Sequence, residues 1–265
     1  MLFVTLKFEE YTEYYSNIIK TLGENLVNLA LTDEDKFFNF MVQQYGDQTI
    51  LALLNQYSKE DVKQYLIKQY ISGTIEAINK EQFDTSILSL PIAVKKLDPK
   101  TKIKIFDSGQ KETVIKSILT DYEKNEQIIL QGHSAGGGDV QDIAEVLNEK
   151  GIQNIITVQI DSVEPFGDDA TIPENVSKAI NVYQNEAETG NKYIDFLYSG
   201  VINGENNIEA KNPSKTMIIN QQFTNIQGPA TGSPANPHQN MDNDHKVQTF
   251  IQNQVIPEVK SEVSK

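Results

Sequence analysis

The chain has 265 residues, 38% hydrophobic and 23% charged, which suits a soluble globular protein built around one large domain with an ample core. A formal net charge of -14 argues against nucleic acid or an anionic membrane surface as a partner. With no cysteine there can be no disulfide framework, no thiolate metal site and no thiol nucleophile.

The opening stretch, residues 1–10, is apolar but lacks a basic leading segment and a small-residue cleavage site, so it does not read as a signal peptide. No uninterrupted apolar run approaches the roughly 18 residues that a membrane-spanning helix needs. The default expectation is a cytoplasmic protein, with a removed leader or a leaderless export route as the alternative. From residue 9 to about 82 apolar residues recur at intervals of three and four. Tyr11, Tyr14, Tyr15, Ile18, Ile19 and Leu22 form one such stripe, and Val62, Leu66, Tyr70 and Ile71 another. Thr32-Asp33-Glu34-Asp35 and Ser58-Lys59-Glu60-Asp61 have the form of helix N-termini, the second a capping box. Residues 1–84 are therefore expected to be a mainly helical region, either a lid over a site or packed on the core.

Beyond residue 85 the pattern alternates strand and helix. Residues 87–94 suggest a strand interrupted by Pro91, and residues 102–106 another. A helix is expected over 111–122, with Val114, Ile115, Ile118 and Leu119 facing inward. Strands at 128–131 and 154–160 flank a helix at 139–150; further strands follow at 179–183 and 216–223, and a last helix at 244–255. Such alternation predicts βαβ units, hence an α/β fold with a mainly parallel sheet and flanking helices over residues 85–265. Loops bearing Pro and Gly at 163–173, 198–214 and 228–237 follow strand ends, where open α/β sheets hold their ligands.

Within this alternation lies Gly132-His133-Ser134-Ala135-Gly136, a G-x-S-x-G between an apolar strand and a helix. That context is what a nucleophile elbow requires: the turn strains the serine backbone, and side chains two residues to either side would meet the neighbouring strand and helix. Ser134 is thus the candidate nucleophile. A serine needs a base within hydrogen-bond reach and an acid to orient it. The chain has three histidines. His133 adjoins the serine, and neighbouring side chains in such a turn diverge, which leaves His238 and His245. His238 follows a Gly/Pro-rich loop after the last strand, whereas His245 falls in the first turn of the final helix, so His238 is the better base. Asp161, at the end of the strand after the elbow's helix, is the leading acid. Glu186, Glu188 and Asp195 compete with it. The Ala135 N–H is expected as one oxyanion donor, at the positive end of a helix. A second could come from the turn at Ser108 or from residues 90–93. Asp139 reads as a surface acid that complements the helix dipole.

Gly132-His133-Ser134-Ala135-Gly136-Gly137, Ile160-Asp161 with its Pro-bearing loop, and His238 ahead of the last helix resemble the α/β-hydrolase superfamily on its lipase/esterase side. Residues 158–166 are similar to the acid region of pancreatic-type lipases, and residues 172–184 to bacterial lipase-like hydrolases. The resemblance covers about residues 100–255; an H-G-G-G oxyanion loop is absent. It implies hydrolysis of a small-molecule or lipid carboxylic ester through an acyl-enzyme, with no metal or organic cofactor. A thioesterase or acyltransferase on the same framework, or an inactive binding protein, are the alternatives.

Overall fold

The apolar runs of the chain assemble into one parallel sheet, described by a computed structural model over residues 1–7, 30–45, 54, 58–64, 66–67, 87–163, 170–185, 207–227 and 236–264. Its strands are β1 (Leu2–Lys7), β2 (Lys102–Asp107), β3 (Ile128–His133), β4 (Ile155–Ile160), β6 (Val176–Tyr183) and β8 (Met217–Gln222). They lie in the order β2-β1-β3-β4-β6-β8, and every pairing is parallel. Two short strands, β5 (Thr171–Ile172) and β7 (Glu209–Ala210), pair apart from it. The helices are α1 (Glu34–Tyr45), α2 (Ser89–Leu97), α3 (Lys111–Asp121), α4 (Ala135–Glu149), α5 (Asn236–Asn240) and α6 (His245–Val263). Among the described residues no helix is long and apolar enough to cross a membrane.

Because side chains alternate along a strand, each strand feeds two cores. Phe3, Ile129, Ile156, Val158, Ile160, Ile180 and Val182 pack with Phe37 of α1, with Leu90 and Val94 of α2, and with Val247, Ile251 and Val255 of α6. On the opposite face Leu2, Val4, Leu6, Ile128 and Leu130 pack with Val114 and Ile118 of α3 and with Val140, Ile143 and Leu147 of α4. This two-sided covering explains the near-continuous apolar strands.

Two expectations need correcting. Residues 2–7 are not part of a helical region: β1 is an inner strand between β2 and β3, with Leu2, Phe3, Val4, Thr5 and Leu6 all buried. The sheet therefore draws on both sides of the expected boundary at residue 84. Residues 87–94 are not a strand. Pro91 cannot donate to a sheet ladder, yet it is tolerated in the first turn of a helix, where amides lack intrahelical acceptors, and α2 begins there at Ser89. Lys95 and Lys96 then occupy the last turn of α2, where cations complement the helix dipole.

The described part of the helical first third packs on the sheet. Ala30, Leu31, Phe37 and Ile67 share the core that holds Phe3 and Ile129, and Lys95 Nζ reaches Glu34 at 2.6 Å. Both expected caps form: Asp33 Oδ1 accepts from Lys36 N at 3.0 Å, and Ser58 Oγ accepts from Asp61 N at 3.1 Å. The other expected helical stripes of the first third lie mostly outside the described residues.

An inner strand cannot be removed without opening the sheet. A fragment starting at residue 85 should therefore fail to fold, giving no cooperative unfolding transition by circular dichroism. In the full chain Leu6→Ala should lower the urea-unfolding free energy by about 2–5 kcal/mol, the usual loss for a buried leucine.

Candidate active site

Three chain segments meet at the C-terminal edge of the sheet. β3 ends at His133, and Ser134 follows in a tight turn before α4. Its backbone, at φ 56° and ψ -128°, lies in a region that non-glycine residues avoid, at a cost of about 1–3 kcal/mol. The neighbours make the turn feasible. A Cβ on Gly132 would sit 2.0 Å from the Gly136 carbonyl oxygen, and one on Gly136 would sit 2.8 Å from the Leu6 carbonyl oxygen. Gly137 likewise lies against Ser162, where an added Cβ would come to 2.8 Å. The turn is then pinned: Ser134 N donates to Ile160 O at 3.0 Å, and Ser134 O accepts from Gly137 N at 2.8 Å and Val163 N at 3.1 Å.

Val163 belongs to the segment that leaves β4, so the same bonds locate Asp161. Ile160 is the register partner of His133, which puts Asp161 beside the elbow. Asp161 is fully buried and adopts φ 45°, a left-handed conformation that aspartate tolerates better than most residues. His238 comes from α5, a single short helical turn ahead of α6. Its Nδ1 lies 2.8 Å from Asp161 Oδ2 and its Nε2 lies 2.9 Å from Ser134 Oγ. With the Nδ1 proton donated to the carboxylate, Nε2 is left to accept from the Ser134 hydroxyl. A serine, an imidazole and a carboxylate in this relation can move a proton off Oγ and hold the resulting imidazolium.

Burial pushes the Asp161 carboxyl above the usual carboxylate value, and donors to it pull the other way. Besides His238, Gln184 donates through its backbone N to Oδ1 at 3.1 Å and through Nε2 to Oδ2 at 2.7 Å. Gln184 follows β6, the strand next to β4, and was not singled out from the sequence; a polar residue just beyond the strand next to the acid's strand was the available signal. His245 is exposed at the start of α6, where Asp244 caps the helix by accepting from Lys246 N at 2.7 Å. Glu186, Glu188 and Asp195 lie outside the described residues. No group of metal-ligating side chains occurs among the described residues.

Ala135 opens α4, where the first amides have no intrahelical acceptor. The Ser108 expectation fares differently. Ser108 follows β2, and β1 lies between β2 and β3, so two strand spacings, roughly 10 Å, separate its strand from that of Ser134. Residues 90–93 lie inside α2, with the Ile92 N–H donating to Leu88 O. Asp139 is also not a surface acid: it is buried and accepts from Gly109 N at 2.6 Å, tying the turn after β2 to α4.

Two further buried groups lie near His238. His133 Nε2 lies 2.9 Å from the His238 carbonyl oxygen, and Asp242 Oδ2 lies 3.9 Å from His133 Nδ1. Burial, reinforced by His238, holds the His133 imidazole down to about 3. Burial likewise pushes the Asp242 carboxyl up to about 7, against the bond it accepts from Asn243.

No family model matches the chain, and neither the curated proteins nor the solved structures contain a significant match to it.

Asp242 makes stability depend on pH. The folded state keeps its proton up to about 7, while an unfolded aspartate releases it near 4. Its contribution is therefore fully present below about 4 and lost as pH rises through about 7. Asp242→Asn removes this dependence, so its melting temperature should gain on that of the wild type between pH 5 and pH 8. A difference between the two that stays constant with pH would contradict the assignment.

Proposed function

We propose that this chain is a serine hydrolase of carboxylic esters with α/β-hydrolase architecture. One observation carries the reading: His238 lies within hydrogen-bond distance of both Ser134 Oγ and buried Asp161, with the serine on a strained turn between strand and helix. The order of the residues in the chain, Ser134 then Asp161 then His238, supports the fold assignment. So does the elbow's place after an inner strand of a parallel sheet.

His238 Nε2 takes the Oγ proton as Ser134 attacks the ester carbonyl, and Asp161 stabilises the imidazolium. The oxyanion of the tetrahedral intermediate accepts from the Ala135 N–H, aided by the positive end of α4. Collapse expels the alcohol, which takes the proton from Nε2, and leaves an ester on Ser134. Water, deprotonated by His238, attacks that ester; the acid departs and Oγ regains its proton. These steps draw on protein groups alone, with a small-molecule or lipid ester as substrate.

A fluorophosphonate probe should label wild type at Ser134, and Ser134→Ala should abolish labelling. His238→Ala should reduce kcat/KM on p-nitrophenyl esters by about 10⁴–10⁶, and Asp161→Asn by about 10⁴. His245→Ala should leave both unchanged. A wild type that neither labels nor hydrolyses would instead support an inactive fold used for binding. Preference for acyl thioesters over oxygen esters would redirect the reading to a thioesterase.

A further inference from the structure

His133 is one of two histidines that the hydrolase reading leaves unused, and unlike the exposed His245 it is buried beside His238. It ends β3 immediately ahead of Ser134 and is 1% exposed. It lies on the strand face of Ile129 and Gln131, the face covered by α2 and α6. Its Nε2 meets the main-chain carbonyl of His238 at 2.9 Å, and the two rings face each other at a centroid separation of 5.1 Å. We propose that His133 is a positioning residue: its Nε2–H clamps the His238 carbonyl, so that the base is held at its main chain from β3 as well as at its ring from Asp161. The proposal rests on the hydrolase reading above.

The chemistry of the contact fixes its direction. A carbonyl oxygen can only accept, so Nε2 carries the proton. The imidazole stays neutral in any ordinary buffer, because burial holds its protonation well below that range. Neutrality matters to the partner. A cationic ring 5.1 Å away would oppose the proton that His238 must gain as Ser134 attacks. A neutral donor clamps the main chain without that penalty.

The clamp also has a mechanical reason. α5 has only five residues, and the other bond its His238 carbonyl accepts, from Met241 N at 3.3 Å, stays within the same short segment and does not tie it to the sheet. The bond from His133 runs to the strand that carries the nucleophile itself, so β3 positions both reacting partners. Asp242, next to Met241, faces the far side of the same imidazole at 3.9 Å. That carboxyl therefore belongs to the wall that confines the ring.

The test compares His133→Gln, whose amide nitrogen can replace Nε2 as a donor, with His133→Met, which fills similar space and has none. Misplacing a catalytic group by about 1 Å can cost roughly 100-fold. On that scale His133→Met should lower kcat and the fluorophosphonate labelling rate by about 10–100-fold with KM little changed. His133→Gln should restore most of both, while the two variants melt at similar temperatures. If His133→Met does not fold, His133→Asn, whose amide is too short to reach the carbonyl, replaces it. Equal activity of the donor and non-donor variants would overturn the proposal.

A readout independent of turnover separates this result from failure of the hydrolase reading. The low-field NMR resonance of the proton between His238 Nδ1 and Asp161, identified by its loss in His238→Ala, should persist in His133→Gln and vanish or broaden in His133→Met. If wild type proves inactive, this pattern still supports the clamp. The same resonance unchanged in His133→Met overturns it.

Discussion

The backbone of Ser134 is the constraint on which the site depends. A residue at φ 56° between a strand and a helix is held there only if the flanking chain passes close by, and the missing side chains at Gly132, Gly136 and Gly137 permit that approach. The hydrogen bonds that hold the strained peptide are also the bonds that position the acid. Ser134 N and O reach Ile160 and Val163, the residues on either side of Asp161-Ser162. The strain at Ser134 and the placement of Asp161 are therefore one feature. A change that relaxed the turn would also release the segment carrying Asp161.

Around this turn the fold arranges charge sparingly. Asp161 is wholly buried and His238 nearly so, at 13% exposure. His133 and Asp242 are buried too, and desolvation pushes each toward its neutral form. The environment of His238 thus contains one carboxylate paired to it directly and two groups that burial drives toward neutrality. An imidazolium formed at His238 has Asp161 as its direct partner. Gln184 adds two donors that help a buried carboxylate keep its charge.

The parallel sheet explains why these groups meet. Ser134 and Asp161 leave adjacent strands at the same edge, and His238 arrives after the last strand by a connection that ends in α5. Parallel strands send all their C-termini to one side, so residues far apart in the chain gather there without special folding of the loops. Helix α4 follows directly from the elbow and directs its first amides toward that edge. The covering of both faces by helices supplies the rigidity that the site needs.

Much of this was legible in the sequence because its signals are local. Strand–turn–helix context around Gly132–Gly136 marks an elbow whatever the rest of the chain does. With three histidines in the chain, one beside Ser134 and one behind a helix cap at Asp244, His238 was left as the candidate base. Alternation of strand and helix patterns predicted the mainly parallel sheet with flanking helices, and Asp161 was legible as the end of the next strand. What could not be read was long-range. Residues 2–7 are an apolar run with no local mark of partnership, and only pairing with β2 and β3 makes them an inner strand. In the sheet β1 lies between the strand that leads to Ser108 and the strand that leads to Ser134. Gln184, His133 and Asp242 are ordinary polar residues in the chain, and they gain meaning only where tertiary packing excludes water. The sequence by itself determined which residues could do chemistry, because that follows from residue type and local turn geometry. The tertiary structure alone decided which of them share one buried space, because burial and proximity are properties of the assembled sheet.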